Sequence, residues 1–204
     1  MQVNTDRNSF SRYRFLSGSS RGLITLAAAG CFWVGLAAWG LRGDIWTLAL
    51  APILLSAGIV AAGAVRLGKG ARALRTSEVP VADRASIRRI TLWFRVTSTL
   101  QTVFVILAGL VCYWLQRLDL LWPLIGLVVS LHFLPLAWIF RVRPYYATGV
   151  LGAVVSTIAI LGFTGPEKLV VAGIGLSIIN VGSAAYLLAN VERLADEYVR
   201  IEAG

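Results

Sequence analysis

Three strongly polar side chains lie deep inside apolar stretches of this chain: Gln101, His132 and Asn180. An imidazole and two carboxamides can share hydrogen bonds, pass a proton or hold a small ligand. His132 is the only histidine, and Pro135 follows it within one helical turn. Proline at that position removes the normal donor to the Leu131 carbonyl and predicts a helix kink beside the imidazole. Counting about 1.5 Å per residue along each stretch puts the three side chains at one level, slightly to the cytoplasmic side of the bilayer middle. Two readings compete. One is a ligand or proton site at mid-membrane, and the other is a hydrogen-bonded tie between helices.

Other chemistries lack residues. A haem held by two histidines needs a second one. A zinc site needs more ligands than His132 with Cys31 and Cys112. No Asp or Glu falls inside an apolar span, which argues against a carboxylate-driven proton relay or metal site. Ser177, in Gly175-Leu176-Ser177-Ile178, lacks the following glycine of an intramembrane serine protease and forms no recognisable dyad with His132. No phosphate-cradling loop is present. The expectation is a protein with no catalytic residues, no metal and no cofactor.

The elements that carry these side chains follow from composition. Of 204 residues, 57% are hydrophobic and only 14% charged, against about 25% charged in a soluble domain. Six stretches approach the roughly 20 apolar residues that cross a bilayer: Gly22–Leu41, Ile45–Val65, Trp93–Leu115, Leu120–Phe140, Tyr146–Phe163 and Lys168–Val191. They are continuously apolar, whereas barrel strands alternate, so the fold class is all-α, a polytopic transmembrane bundle of six helices. The first stretch is longer than a secretory signal core and sits behind four arginines, so it reads as an uncleaved helix. Of the nineteen Lys and Arg, only Arg42, Arg117 and Lys168 fall on one side of these spans. The other sixteen place the N and C termini in the cytoplasm. The organisation is a basic N-terminal segment (1–21), a transmembrane domain (22–191) with a basic loop (66–89), and a cytoplasmic tail (192–204). Tryptophans cluster near the expected interfaces, with Trp33 the mid-span exception.

The net charge of +9 flanks apolar spans, so the expected partners are anionic lipid head groups rather than nucleic acid. A helix starting at about Val81, just after Pro80, carries Arg84, Arg88, Arg89 and Arg95 toward the membrane surface as head-group contacts. Pro52 is read as a second kink. Small and polar residues predict the inward faces. They are Pro52, Ser56 and Gly63 in the second span, and Arg95, Ser98, Thr102, Gly109 and Cys112 with Gln101 in the third. In the fifth they are Gly149, Gly152, Ala153 and Ser156; in the sixth, Gly173, Ser177, Asn180 and Ala184.

The segment Ser130-Leu131-His132-Phe133-Leu134-Pro135-Leu136-Ala137, followed by Arg141, Tyr145-Tyr146 and Thr148-Gly149, resembles a signature in a group of uncharacterised bacterial six-helix membrane proteins. The resemblance covers spans four and five. It implies a multi-pass protein of a bacterial inner membrane, and it supplies no catalytic residues. The resulting expectation is a non-enzymatic membrane component, packed against a membrane protein partner or a second copy of itself. The alternative is a small-solute transporter or channel lined by His132, Asn180 and Gln101.

Overall fold

The computed structural model describes residues 2–41, 50–73 and 81–203. Among the described residues seven α-helices follow in order: α1 Gln2–Gly40, α2 Ala51–Ala73, α3 Val81–Trp114, α4 Leu121–Phe140, α5 Pro144–Gly162, α6 Glu167–Ala189 and α7 Val191–Ala203. A short 3-10 turn, Leu118–Leu120, precedes α4. The first six helices are long and apolar enough to cross a membrane. The protein is therefore a multi-pass, all-α membrane protein. Helices α4, α5 and α6 begin and end within about two residues of the stretches read from hydropathy, and α3 begins directly after Pro80 as its chemistry dictates.

The core is built by α1, α4, α5 and α6. Helix α2 packs on the α1–α6 side, and α3 packs on α4 with only marginal contact to any other helix. Close approach depends on small residues. Gly173, Ser177, Asn180 and Ala184 of α6 are buried, as are Gly149, Gly152 and Ser156 of α5. Opposite them, Leu23, Leu26 and Ala27 of α1 meet Val181, Ala184 and Leu187 of α6. Trp33 is 2% exposed and packs among Leu36, Ala159, Ala172 and Leu176, which explains its mid-span position: it fills the bundle centre rather than marking an interface. Ser177 Oγ lies 3.1 Å from the Gly30 carbonyl of α1, sharing its one proton between that oxygen and the nearer Gly173 carbonyl of its own helix, and Thr148 Oγ1 meets Ser183 Oγ at 2.7 Å between α5 and α6.

Three expectations are corrected. Pro52 lies in the first turn of α2, where its missing N–H removes no helical bond, so it opens the helix and does not kink it. Pro52 and Ser56 are exposed, and α2 buries Ala57, Val60 and Ala64 instead. Ser56 can face outward because its hydroxyl donates to the Pro52 carbonyl at 2.8 Å and needs no other helix. In α3, Cys112 is buried, but Thr102 and Arg95 are exposed, so the expected inward stripe is only partly inward.

The basic end extends beyond the bilayer. Helix α1 has 39 residues, about 58 Å, nearly twice the hydrocarbon thickness of about 30 Å. Its first half is clamped by α7, a strongly amphipathic helix formed by the segment read as a tail. Leu16, Ala71, Val191 and Ala195 make a small core there. Arg12 pairs with Glu192 and Asp196, while the Arg14 guanidinium lies 5.6 Å over the Tyr198 ring.

Candidate functional site

Helices α3 and α4 form a groove of about 280 Å³, and two of the three polar residues line it. Gln101 comes from α3, His132 from α4, and both are half-buried. Around them stand Thr97, Leu100, Phe104, Val128, Leu131 and Pro135. The α3 register brings the imidazole against the Thr97 backbone. Thr97 keeps its own hydroxyl on the Trp93 and Phe94 carbonyls. Pro135, inside α4, leaves the Leu131 carbonyl without its donor four residues on, so the groove gathers an imidazole, an amide and a backbone acceptor. One side of α3 is open along its apolar length. Val103, Phe104, Ile106, Leu107 and Leu110 are all exposed, as is proper for a lipid-facing helix.

Asn180 stands apart from this pair. It is buried at 4% exposure, facing a second cavity of about 10 Å³ between α1, α4, α5 and α6. Helix α4 serves both places, with Ser130 and Phe133 toward the interior cavity and Leu131 and His132 toward the groove. Thus the structure brings Gln101 and His132 together and assigns Asn180 to a different neighbourhood. The separation is angular. Residues two apart on a helix point about 200° apart, so His132 and Ser130 cannot face the same partner.

Sequence reasoning set Ser156 and Ser177 on inward faces, and both are buried, but it passed over Ser130 and Thr148, which are buried as well. The signal was available as Gly126 and Ser130 one turn apart in α4, facing Thr148, Gly152 and Ser156 at the same period in α5. Most of these groups are satisfied locally. Ser130 Oγ donates to the Gly126 carbonyl at 2.7 Å and Ser177 Oγ to the Gly173 carbonyl at 2.6 Å.

At the end opposite α7, Lys168 is buried at 3% exposure, and its Nζ lies 2.7 Å from Asp119 in the 3-10 turn. Arg117 grips the same carboxylate through Nε and Nη2 at 3.0 and 3.1 Å. That hydrogen bond, with the charge behind it, holds the guanidinium above its usual value. The triad ties the α3–α4 connection to the start of α6.

Arg88, Arg89 and Arg95 are exposed along α3, near the edge-to-face pair Trp93–Trp138 at 6.2 Å. This mixture of cations and amphipathic rings suits a head-group level. Arg84 lies in α3, but its side chain is outside the described residues, as is all of Arg75 and Arg42. Among the described residues no three His, Cys, Asp or Glu converge on a metal-sized site. The chain matches no family model, no curated protein and no solved structure.

Proposed function

We propose that this is a non-enzymatic component of a bacterial cytoplasmic membrane, with both termini inside, that associates with a second copy of itself through the α3–α4 face. One observation carries the reading: among the described residues α4 is the one helix that α3 packs against substantially, and the groove between them exposes an imidazole and a carboxamide at membrane depth. Polar side chains in a transmembrane segment normally face a bundle interior or a partner. Imidazole and carboxamide each donate and accept, so His132 of one copy complements Gln101 of the other, and the reverse, under two-fold symmetry. Interhelical hydrogen bonds of this kind contribute about 0.6 kcal/mol on average, up to about 1.7. Two of them suffice to bias an encounter that lipid tails do not oppose. The cytoplasmic placement follows from the excess of Lys and Arg at the α7 end.

A solute path draws less support, because the interior cavity beside Asn180 has room for about one water molecule. The test is energy transfer between copies carrying donor and acceptor at their C termini, in vesicles of phosphatidylethanolamine and phosphatidylglycerol. Transfer should fall as lipid dilutes the protein, and fall further in the double variant His132→Leu, Gln101→Leu. A signal absent at every protein-to-lipid ratio, or unchanged in the double variant, sinks the reading. A C-terminal label reached from outside intact cells would reverse the orientation.

A further inference from the structure

The interior cavity is a site of a different kind, and it does not depend on association. Its chemistry is set by one atom, Asn180 Oδ1, which is buried and has no hydrogen-bond partner within the protein. The carboxamide orientation is fixed from its other end. Nδ2 donates to the Leu176 carbonyl at 2.8 Å, and a flipped amide would set two acceptors against each other. The oxygen therefore needs a donor.

None of its neighbours supplies one. The Ser130 proton goes to the Gly126 carbonyl. Thr148 Oγ1 sits within bonding distance of the Pro144 carbonyl, at 3.2 Å, and of Ser183 Oγ, at 2.7 Å. Whichever of those two hydroxyls donates, Thr148 keeps a free lone pair. Ser156 Oγ is also buried without a partner. It faces Gly126, where an added Cβ would lie 2.9 Å from it, and it makes no hydrogen bond to Asn180 and does not line the cavity. A hydroxyl can turn onto the carbonyl one turn back, as Thr157 does at 2.8 Å. The anchored carboxamide oxygen has no such recourse. The cavity walls thus present acceptors: Asn180 Oδ1, Ser130 Oγ and Thr148 Oγ1.

We infer that this cavity binds a single water molecule, which donates to Asn180 Oδ1 and to the spare lone pair of Ser130 or Thr148, bridging α6 to α4 or α5. The size agrees: about 10 Å³ open to the centre of a water-sized sphere is at the threshold for one water, which needs two to four polar partners. A cation fits the same lone pairs less well. The side-chain oxygens of its lining residues are those of Ser130, Thr148 and Asn180, all neutral, and none of the lining residues carries a carboxylate to offset a buried charge. Gly126 and Gly152 keep the space open, since a Cβ at Gly152 would land on Ser130 Oγ.

The experiment is water-to-protein cross-relaxation NMR on isotope-labelled protein in nanodiscs. Long-lived water cross-peaks are expected at the Asn180 carboxamide and at the backbone amides of Gly126 and Gly152. In Asn180→Leu, which is close in volume, the peaks at both glycines should vanish. No cross-peak in the natural protein overturns the proposal, as does persistence at the glycines in Asn180→Leu. Should that variant not fold, Ser130→Ala and Thr148→Val, made singly, replace it, with weakened or lost peaks expected in at least one and unchanged peaks in both counting against the site. Exchanging choline for sodium at constant ionic strength should leave the unfolding midpoint unmoved. A midpoint that rises with sodium would make the occupant a cation and overturn the assignment to water.

Discussion

Gly173→Ala is the sharpest test of how α1 and α6 are held together. A Cβ at Gly173 would lie 2.8 Å from Ala37 Cβ, 2.8 Å from the Trp33 carbonyl oxygen and 2.9 Å from the Ala37 nitrogen. Ordinary carbon contacts lie near 3.5–4.0 Å. Two of these neighbours are backbone atoms, so no side-chain rotation relieves the overlap, and the helices must separate by roughly 0.7 Å or more to restore such contacts. That movement carries the Ser177–Gly30 contact, now 3.1 Å, beyond hydrogen-bonding range. Overpacking of this kind costs about 1–3 kcal/mol, and the interhelical bond adds about 0.6, for a loss of about 2–4 kcal/mol. Gly58→Ala is the matched control, because nothing lies within 4 Å of a Cβ there. Dodecyl sulfate titration of bicelle-reconstituted protein, followed by tryptophan fluorescence, compares the two. A Gly173→Ala protein within about 0.5 kcal/mol of Gly58→Ala, well below the overpacking range, would refute the claim that backbone contact between α1 and α6 sets the packing.

Two further substitutions probe the charged ends. Asp119→Asn should destabilise by about 1–2 kcal/mol, because it leaves the Lys168 ammonium, 4% exposed, without its counter-ion; the figure is reduced from the about 3–5 of a fully buried pair because Asp119 is 28% exposed. Adding Lys168→Met should recover most of that loss in the same titration, and a double variant no better than Asp119→Asn would show that the pair is not the cause. Arg12→Ala should cost less than about 1 kcal/mol, since Arg12, Glu192 and Asp196 are all substantially exposed. That cost should shrink further at roughly 1 M salt; a large, salt-independent loss would mean that Arg12 holds α7 by packing rather than charge.

Hydropathy made α4, α5 and α6 legible because each begins and ends close to where the apolar run does. It was less informative for α2. The apolar run there ends near Val65, but the helix continues to Ala73 because Ala71 still has Leu16, Val191 and Ala195 to pack against. Helix α7 was invisible to the same signal. The segment is polar on average, and its apolar residues matter only as one face, with Val191 and Ala195 turned toward α1. Small-residue stripes read correctly on α5 and α6, where glycine allows backbones to touch. They misled on α2, where a serine bonded to its own helix carries no directional information.

The polar residues show the same limit more clearly. Depth along a span can be counted from the sequence, and counting places Gln101, His132 and Asn180 at one level. Azimuth cannot be counted, because it is fixed by which neighbours each helix finds. Asn180 lies on the buried seam of α6, one turn from Leu176 and Ala184, and so points inward. His132 lies on the side of α4 covered only by α3, and so opens to the groove. The two sites then face opposite demands. Inside, almost every hydroxyl is satisfied by a carbonyl of its own helix, leaving one carboxamide oxygen that asks for a small donor. Outside, an imidazole and a carboxamide share a groove with no second layer of protein beyond it, and the second copy proposed to dock there would cover α3 as well.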